Sequence, residues 1–230
     1  MIRAVLFDLD NTLIDFWKMK TMSIEAAVSA MIDAGLKMGH AEAVAKLFRI
    51  YKELGFEYYY IFEKFLEQEL GKVDWKILAN AIVAYRKVRD GFLEPYPGVM
   101  RTLLELKQGG VKIGILTDAS RLNAWIRITT MKLDDFFDAV VCFEDTKRMK
   151  PHKFPFDKAL KVLGVKAGEA MMVGDNVERD ILGAQKMGIK TCFAKYGHNS
   201  RILKTKKAFK PDYEIAKFED LLGIIQPKAI

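Results

Sequence analysis

Two carboxylates, Asp8 and Asp10, stand two positions apart at the end of the apolar run Ile2–Phe7, directly before Asn11-Thr12-Leu13. A buried strand has no packing reason to end this way, because uncompensated buried charge is costly. A positive partner is expected beside them, and a divalent cation, which takes oxygen ligands, suits such a pair. Other residues able to do chemistry close later apolar runs. Thr117 and Asp118 follow Val111–Leu116, and Gly174-Asp175 follows Ala170–Val173, with Asp180 five residues further on. Lys150 lies in the connection after Ala139–Phe143 and can supply a positive charge.

Taken singly, each has a plainer reading. An Asp after a strand is often only a helix N-cap. A Thr in that place commonly serves a turn or cap, and a Lys before a Pro is ordinarily a surface residue. Coincidence would have to explain all four positions at once, and that weakens the plain readings together.

The elements that must position these residues alternate along the chain. The apolar runs Ile2–Phe7, Val111–Leu116, Ala139–Phe143, Ala170–Val173 and Lys190–Ala194 are separated by helical patterns at Val99–Gln108, Arg121–Leu133, Phe154–Leu163 and Val177–Met187. Gly109-Gly110, Gly164 and Gly188 fall where helix C-caps are expected. Such alternation predicts an α/β fold: a Rossmann-like parallel sheet core with helices on both faces. In open sheets of this kind, ligands bind at the carboxyl ends of the strands where the strand order reverses.

One connection is too long. About a hundred residues separate the first run from the second, whereas a parallel crossover needs about a dozen. The segment 16–92 is therefore expected to be an inserted α-helical cap domain, with residues 1–15 and 93–230 forming the core domain. Helical stretches are read at 19–38, 41–54, 57–70 and 74–89, punctuated by Gly55, Gly71 and Gly91, before Pro95-Tyr96-Pro97-Gly98 restarts the core with a rigid turn. Tyr58, Phe62 and Phe65 recur at helical spacing and predict a packed face rather than a stacking platform. Asp15, Phe16 and Trp17, just after the carboxylate loop, are the better candidates for touching a substrate or gating its entry.

Composition excludes several classes. The chain has 230 residues, 50% of them hydrophobic and 29% charged, which is ordinary for a globular protein. No apolar stretch approaches the eighteen or so residues of a membrane span, and the start lacks the layout of a signal peptide. Cys142 and Cys192 lie in apolar runs and are read as reduced core thiols of a cytoplasmic protein. The net charge of +7 fits attraction of a small anionic substrate as well as nucleic acid. The basic stretch from Arg201 to Lys210 carries Lys204, Lys206 and Lys207 and is read as a solvated connection; no nucleic-acid motif accompanies it. His152 and His198 are taken as surface or loop residues, and His40 as a helix boundary.

Order and spacing of the polar groups resemble the haloacid dehalogenase superfamily. Asp8-Leu9-Asp10-Asn11-Thr12 is similar to its first motif, Asp-x-Asp-x-Thr/Val. Thr117 resembles the second-motif hydroxyl, Lys150 the third-motif lysine, and Gly174-Asp175-Asn176-Val177-Glu178-Arg179-Asp180 the fourth motif. The resemblance runs over residues 2–194, and the helical insert is similar to the family's cap between motifs one and two.

That resemblance implies phosphoryl transfer. A phosphate dianion repels a carboxylate nucleophile, so charge must be neutralised first, and Mg2+ does this with few protein ligands. The implied ligands are the Asp8 carboxylate, the Asp10 carbonyl and Asp175, with Asp180 behind them, and Thr12 is read as a structural hydroxyl fixing the turn after Asp10. Asp8 is the implied nucleophile and Asp10 the acid and base. Thr117, the Asp118 amide and Lys150 are the implied phosphate-binding groups. The family's dehalogenases lack the second aspartate, so Asp10 points to phosphate chemistry. The expectation is a Mg2+-dependent phosphatase of small phosphorylated metabolites of the sugar phosphate, phosphoglycolate or triose phosphate type, working as a monomer or homodimer. A phosphomutase of the same superfamily and a non-catalytic binding protein are the alternatives.

Overall fold

All four residues of β1 (Ala4–Phe7) are buried, as befits a strand covered on both faces of a parallel sheet. The computed structural model describes residues 1–198 and 210–225. It divides into two compact units, Phe16–Leu93 on one hand and Met1–Asp15 with Glu94–Ile230 on the other.

The first unit is helical: α1 (Phe16–Asp33), α2 (His40–Leu54), α3 (Ile61–Leu70) and α4 (Trp75–Phe92). Its interior gathers Val28 and Met31 of α1, Leu47 of α2, Phe62 and Phe65 of α3, and Leu78 of α4. Tyr58 packs against the same cluster, so the aromatic stripe is core. The Asp74 carboxylate caps α4, accepting from the amides of Lys76 and Ile77 at 3.0 and 3.1 Å. Phe16 and Trp17 meet edge to face at 5.7 Å, and Trp17 meets Phe56 at 4.8 Å.

In the second unit β1 is joined by β2 (Lys112–Leu116), β3 (Ala139–Val141), β4 (Ala170–Gly174), β5 (Lys190–Ala194) and β6 (Tyr213–Ile215). Every pairing is parallel and the order is β3-β2-β1-β4-β5-β6. Between the strands run α5 (Val99–Gln108), α6 (Arg121–Thr130), α7 (Phe143–Thr146), α8 (Lys153–Leu163) and α9 (Leu182–Lys186), and α10 (Leu221–Ile225) follows β6. Side chains alternate across the sheet. On one face Leu6, Leu116 and Met172 pack against Phe156, Ala159 and Leu163 of α8 and Ala184 of α9. On the other, the Phe7 ring lies 5.3 Å from that of Phe218.

Several element boundaries differ from the sequence reading, for local reasons. The third strand stops at Val141 because Asp145 turns back to accept the Cys142 amide at 2.8 Å, opening the single turn of α7. The segment after β4 begins as a π-turn over Val177–Ile181 before α9. Residues Glu57–Tyr60 turn rather than join α3. Strand β6 carries only one buried residue, Ile215, too little pattern to be read from sequence. Of the basic stretch, Arg201, Lys204, Lys206 and Lys207 lie outside the described residues. Lys210 is exposed, and its carbonyl accepts from Gln185. Among the described residues no helix is long and apolar enough to cross a membrane.

Candidate active site

Register brings the polar residues to one rim. Phe7 pairs with Ile115 of β2 and with Val173 of β4, so Asp8 continues level with Leu116 and Gly174. Thr117 and Asp175 follow one residue later. The ladder extends past the strands, with Asp8 N–H donating to the Val173 carbonyl at 2.9 Å and Thr117 N–H to that of Val141 at 3.0 Å. β1 lies between β2 and β4, which is the point where the strand order reverses.

Lys150 is no surface lysine. Only 3% of it is exposed, and its Nζ lies 2.7 Å from Asp8 Oδ1, 2.7 Å from Asp180 Oδ1 and 2.8 Å from the Leu116 carbonyl. An ammonium has three N–H donors; here it hydrogen-bonds to Asp8 and the Leu116 carbonyl and is ion-paired with Asp180. Burial opposes that charge, yet Asp180, Asp8 and Asp118 outweigh it and raise the Lys150 pKa above its ordinary value. In this arrangement Lys150 acts on its surroundings as a fixed charge.

Asp175 escapes the capping role that its position after β4 suggests. Asn176 takes it, its side chain accepting from the Arg179 amide at 3.0 Å. Both Asp175 carboxylate oxygens are consequently buried without a hydrogen-bond partner among the described residues. Burial, then Asp8 and Asp180, push the Asp175 pKa up. Burial also raises that of Asp180, against the pull of Lys150. Asp180 differs in having partners: its Oδ1 is ion-paired with Lys150 at 2.7 Å, and its Oδ2 accepts the Asn176 amide at 3.0 Å. A Cβ at Gly174 would fall on the Asp180 carboxylate, so the glycine lets that side chain fold under the strand end. Oxygens of Asp8, Asp175 and Asp180 all lie within 4.8 Å of one another. Asp8, Asp118, Asp175 and Asp180 outnumber the two cations among them, Lys150 and Arg179, and the two Asp175 oxygens without a hydrogen-bond partner suit a hard cation with oxygen ligands.

The remaining expected residues fall around this cluster. The Thr117 hydroxyl oxygen accepts the Ala119 amide at 3.1 Å, so the turn reading holds, while its proton can still be donated. Ser120, not Thr117, caps α6. The Asp118 carboxylate ties the rim together, accepting the Lys150 amide at 2.8 Å and an Arg179 guanidinium N–H at 3.2 Å. Thr12 corrects the expectation of a hydroxyl that fixes its turn. That hydroxyl is buried without a partner among the described residues, and the turn is held through the Thr12 carbonyl, which accepts from Tyr196 Oη at 2.7 Å.

Four contributors escaped the sequence reading. Arg127 donates from Nη1 to Asp10 Oδ2 at 2.7 Å. Its signal was present, since it lies between Ala124 and Ile128 in the buried stripe of α6, where an arginine is out of place. The other three, Tyr196, Gly197 and His198, form the turn after β5. His198 was expected to be a mere loop residue. Its Nδ1 lies 2.9 Å from the Asp175 carbonyl, and because a carbonyl only accepts, Nδ1 carries the proton.

The chain matches the haloacid dehalogenase-like hydrolase family over residues 5–194. It is 36% identical over 231 residues to the glyceraldehyde 3-phosphate phosphatase of Methanocaldococcus jannaschii, with 98% of each chain covered. It is 38% identical over 164 residues to the pyrophosphatase PpaX of Bacillus cereus, covering 70% of this chain and 74% of that one. Its fold is similar to a magnesium-bound crystal structure of the HAD-hydrolase YfnB from Bacillus subtilis. That likeness has a TM-score of 0.68 at 23% identity, covering 97% of this chain and 98% of the other.

Proposed function

The chain belongs to the haloacid dehalogenase-like hydrolases and is a phosphatase among them; we propose that it hydrolyses small phosphate monoesters, glyceraldehyde 3-phosphate foremost, by way of a phosphorylated Asp8. The observation that carries this reading is the buried group of Asp8, Asp175 and Asp180 around Lys150, with both Asp175 oxygens lacking a hydrogen-bond partner among the described residues. Asp8, the Asp10 carbonyl and Asp175 would hold Mg2+, which supplies neutralisation of the incoming phosphate charge.

The chain's own residues do the rest. An Asp8 carboxylate oxygen forms a bond to phosphorus as the ester P–O bond breaks, and the departing alkoxide takes a proton from Asp10. The product is an alcohol and an aspartyl-phosphate at Asp8. Asp10, now ionised, takes a proton from water. The hydroxide attacks the same phosphorus, releasing inorganic phosphate and restoring the Asp8 carboxylate. Lys150, 2.7 Å from Asp8, holds the nucleophilic carboxylate in place and offsets its repulsion of the incoming phosphate. The Thr117 hydroxyl and the Asp118 amide would steady the transferring oxygens, in keeping with a transition state that asks mainly for positioning and electrostatics. Residues 16–93 would act as the cap whose closure excludes water and selects the leaving group. Cys142 and Cys192, both buried and outside any disulfide, suit work in the reducing cytoplasm.

The test is phosphate release from glyceraldehyde 3-phosphate with Mg2+, alongside a panel of sugar phosphates, phosphoglycolate and inorganic pyrophosphate. Activity that disappears with EDTA and in Asp8→Asn supports the reading. An Asp8→Asn protein turning over at the wild-type rate would sink it, and transfer of phosphate to a second sugar hydroxyl instead of water would favour the mutase.

A further inference from the structure

A buried arginine must be held by something, and Arg127 is held by the residue that the proposed reaction uses for proton transfer. Its side chain is 8% exposed and donates from Nη1 to Asp10 Oδ2 at 2.7 Å, a residue 117 positions away in sequence. The Asp10 side chain is itself 25% exposed. Taking a guanidinium out of water for a partner that keeps contact with water is a poor way to gain stability. A hydrophobic residue between Ala124 and Ile128 would serve the packing of α6 as well.

The placement of Arg127 is also secured from the same rim. α6 starts at Arg121, its first turn capped by Ser120, whose hydroxyl accepts the Asn123 amide at 3.4 Å. It follows β2 directly, so the strand end that delivers Thr117 also sets the height of Arg127. Asp10 stands in a turn where the next residue, Asn11, has φ 60. A guanidinium, planar and directional, fixes the orientation of a carboxylate that it grips more closely than an ammonium does.

We propose that Arg127 is a positioning residue for Asp10: by gripping Oδ2 it sets the orientation in which the carboxyl group meets the leaving oxygen of the substrate. The inference rests on the phosphatase reading and deepens it. General acid catalysis depends on orientation as much as on acidity, and contributes roughly 10²- to 10⁴-fold. Loss of orientation should forfeit part of that. The loss should depend on the leaving group, because an alkoxide must be protonated as it departs whereas p-nitrophenolate is stable as the anion.

The experiment compares Arg127→Met, Arg127→Lys and Asp10→Asn with wild type on glyceraldehyde 3-phosphate and on p-nitrophenyl phosphate, all with Mg2+. The reading is kcat/KM, which covers the steps up to departure of the leaving group. Arg127→Met should fall about 10- to 100-fold on the alkyl phosphate and about threefold or less on the aryl one. Asp10→Asn should show the same selectivity more strongly. Arg127→Lys should recover only part of the alkyl-phosphate loss, because charge without a planar fork restores attraction but not orientation. Should Arg127→Met not fold, Arg127→Lys against wild type carries the same comparison. Equal losses on both substrates, or full recovery with lysine, would overturn the proposal. A wild-type protein inactive on both esters would instead overturn the phosphatase reading beneath it.

Discussion

Gly197 lies against Asn11 so closely that a Cβ at position 197 would overlap the Asn11 carbonyl oxygen, and the same point is 3.2 Å from the Asp175 Cβ. The turn after β5 thus touches both the loop that carries Asp8 and Asp10 and the loop that carries Asp175. Its neighbours grip the same two loops, Tyr196 through the Thr12 carbonyl at 2.7 Å and His198 through the Asp175 carbonyl at 2.9 Å. Two segments remote in sequence are braced by three consecutive residues that carry none of the proposed chemistry.

Gly197→Ala should therefore act at a distance. The methyl group cannot be accommodated without moving backbone, and a displacement of about 1 Å in a reacting group can cost about 10²-fold. A fall of at least about tenfold in kcat/KM is expected, with the chain still folded by circular dichroism. Tyr196→Phe, which removes one hydrogen bond and no volume, should lose far less. Unchanged kinetics in Gly197→Ala would show that the brace does not position the loops.

Lys150 is the only cation paired with both Asp8 and Asp180 among the described residues. Removing one member of a buried charge group costs about 3–5 kcal/mol, because the charges left behind are uncompensated. Lys150→Met should lower the unfolding free energy by about that amount in urea titrations without divalent cation. A change under about 1 kcal/mol, the value of an exposed pair, would contradict the burial of this group.

Mg2+ should stabilise the folded chain. A ligand bound only by the native state at about a hundred times its Kd contributes about 2.7 kcal/mol, which for a chain of this size is several degrees in Tm. Differential scanning fluorimetry with Mg2+ against EDTA should show that rise. Asp175→Asn should abolish it while leaving the EDTA curve as high as wild type or higher, since one of three crowded carboxylates is gone. An equal rise in Asp175→Asn would remove Asp175 from the metal site.

Acid stability has a contributor away from the rim. Asp212 is partly desolvated, which by itself raises its pKa, but Lys190 and the amide and hydroxyl of Thr191 overcome this and lower it. The contacts are short, at 2.9 to 3.0 Å, and fasten the approach to β6 onto β5. A carboxylate with a depressed folded pKa contributes in full above its unfolded value near 4 and loses that contribution as pH falls through the folded one. Asp212→Asn should be less stable than wild type at neutral pH, and the two Tm curves should converge below about pH 4. Parallel curves down to the lowest pH would rule Asp212 out.

The main elements were readable because their patterns are local. Uninterrupted apolar runs become central strands only when both faces are covered, and β1, β2, β4 and β5 all match their runs closely. β6 was not, since its Tyr-Glu-Ile triplet buries one residue and owes its existence to pairing with β5. Helix ends moved wherever a side chain found its partner across a turn, as Asp145 does for Cys142.

The sequence by itself determined the family, the alternation of strands and helices, and which residue types arrive at strand ends, because each is written in residue identity and short-range period. The tertiary structure alone decided the partnerships. It chose Asn176 over Asp175 as the cap, buried Lys150 against an aspartate 142 positions away, and set Arg127 on Asp10. A hydrogen bond is settled within a fraction of an ångström by how packed elements meet, and no spacing along the chain encodes that distance.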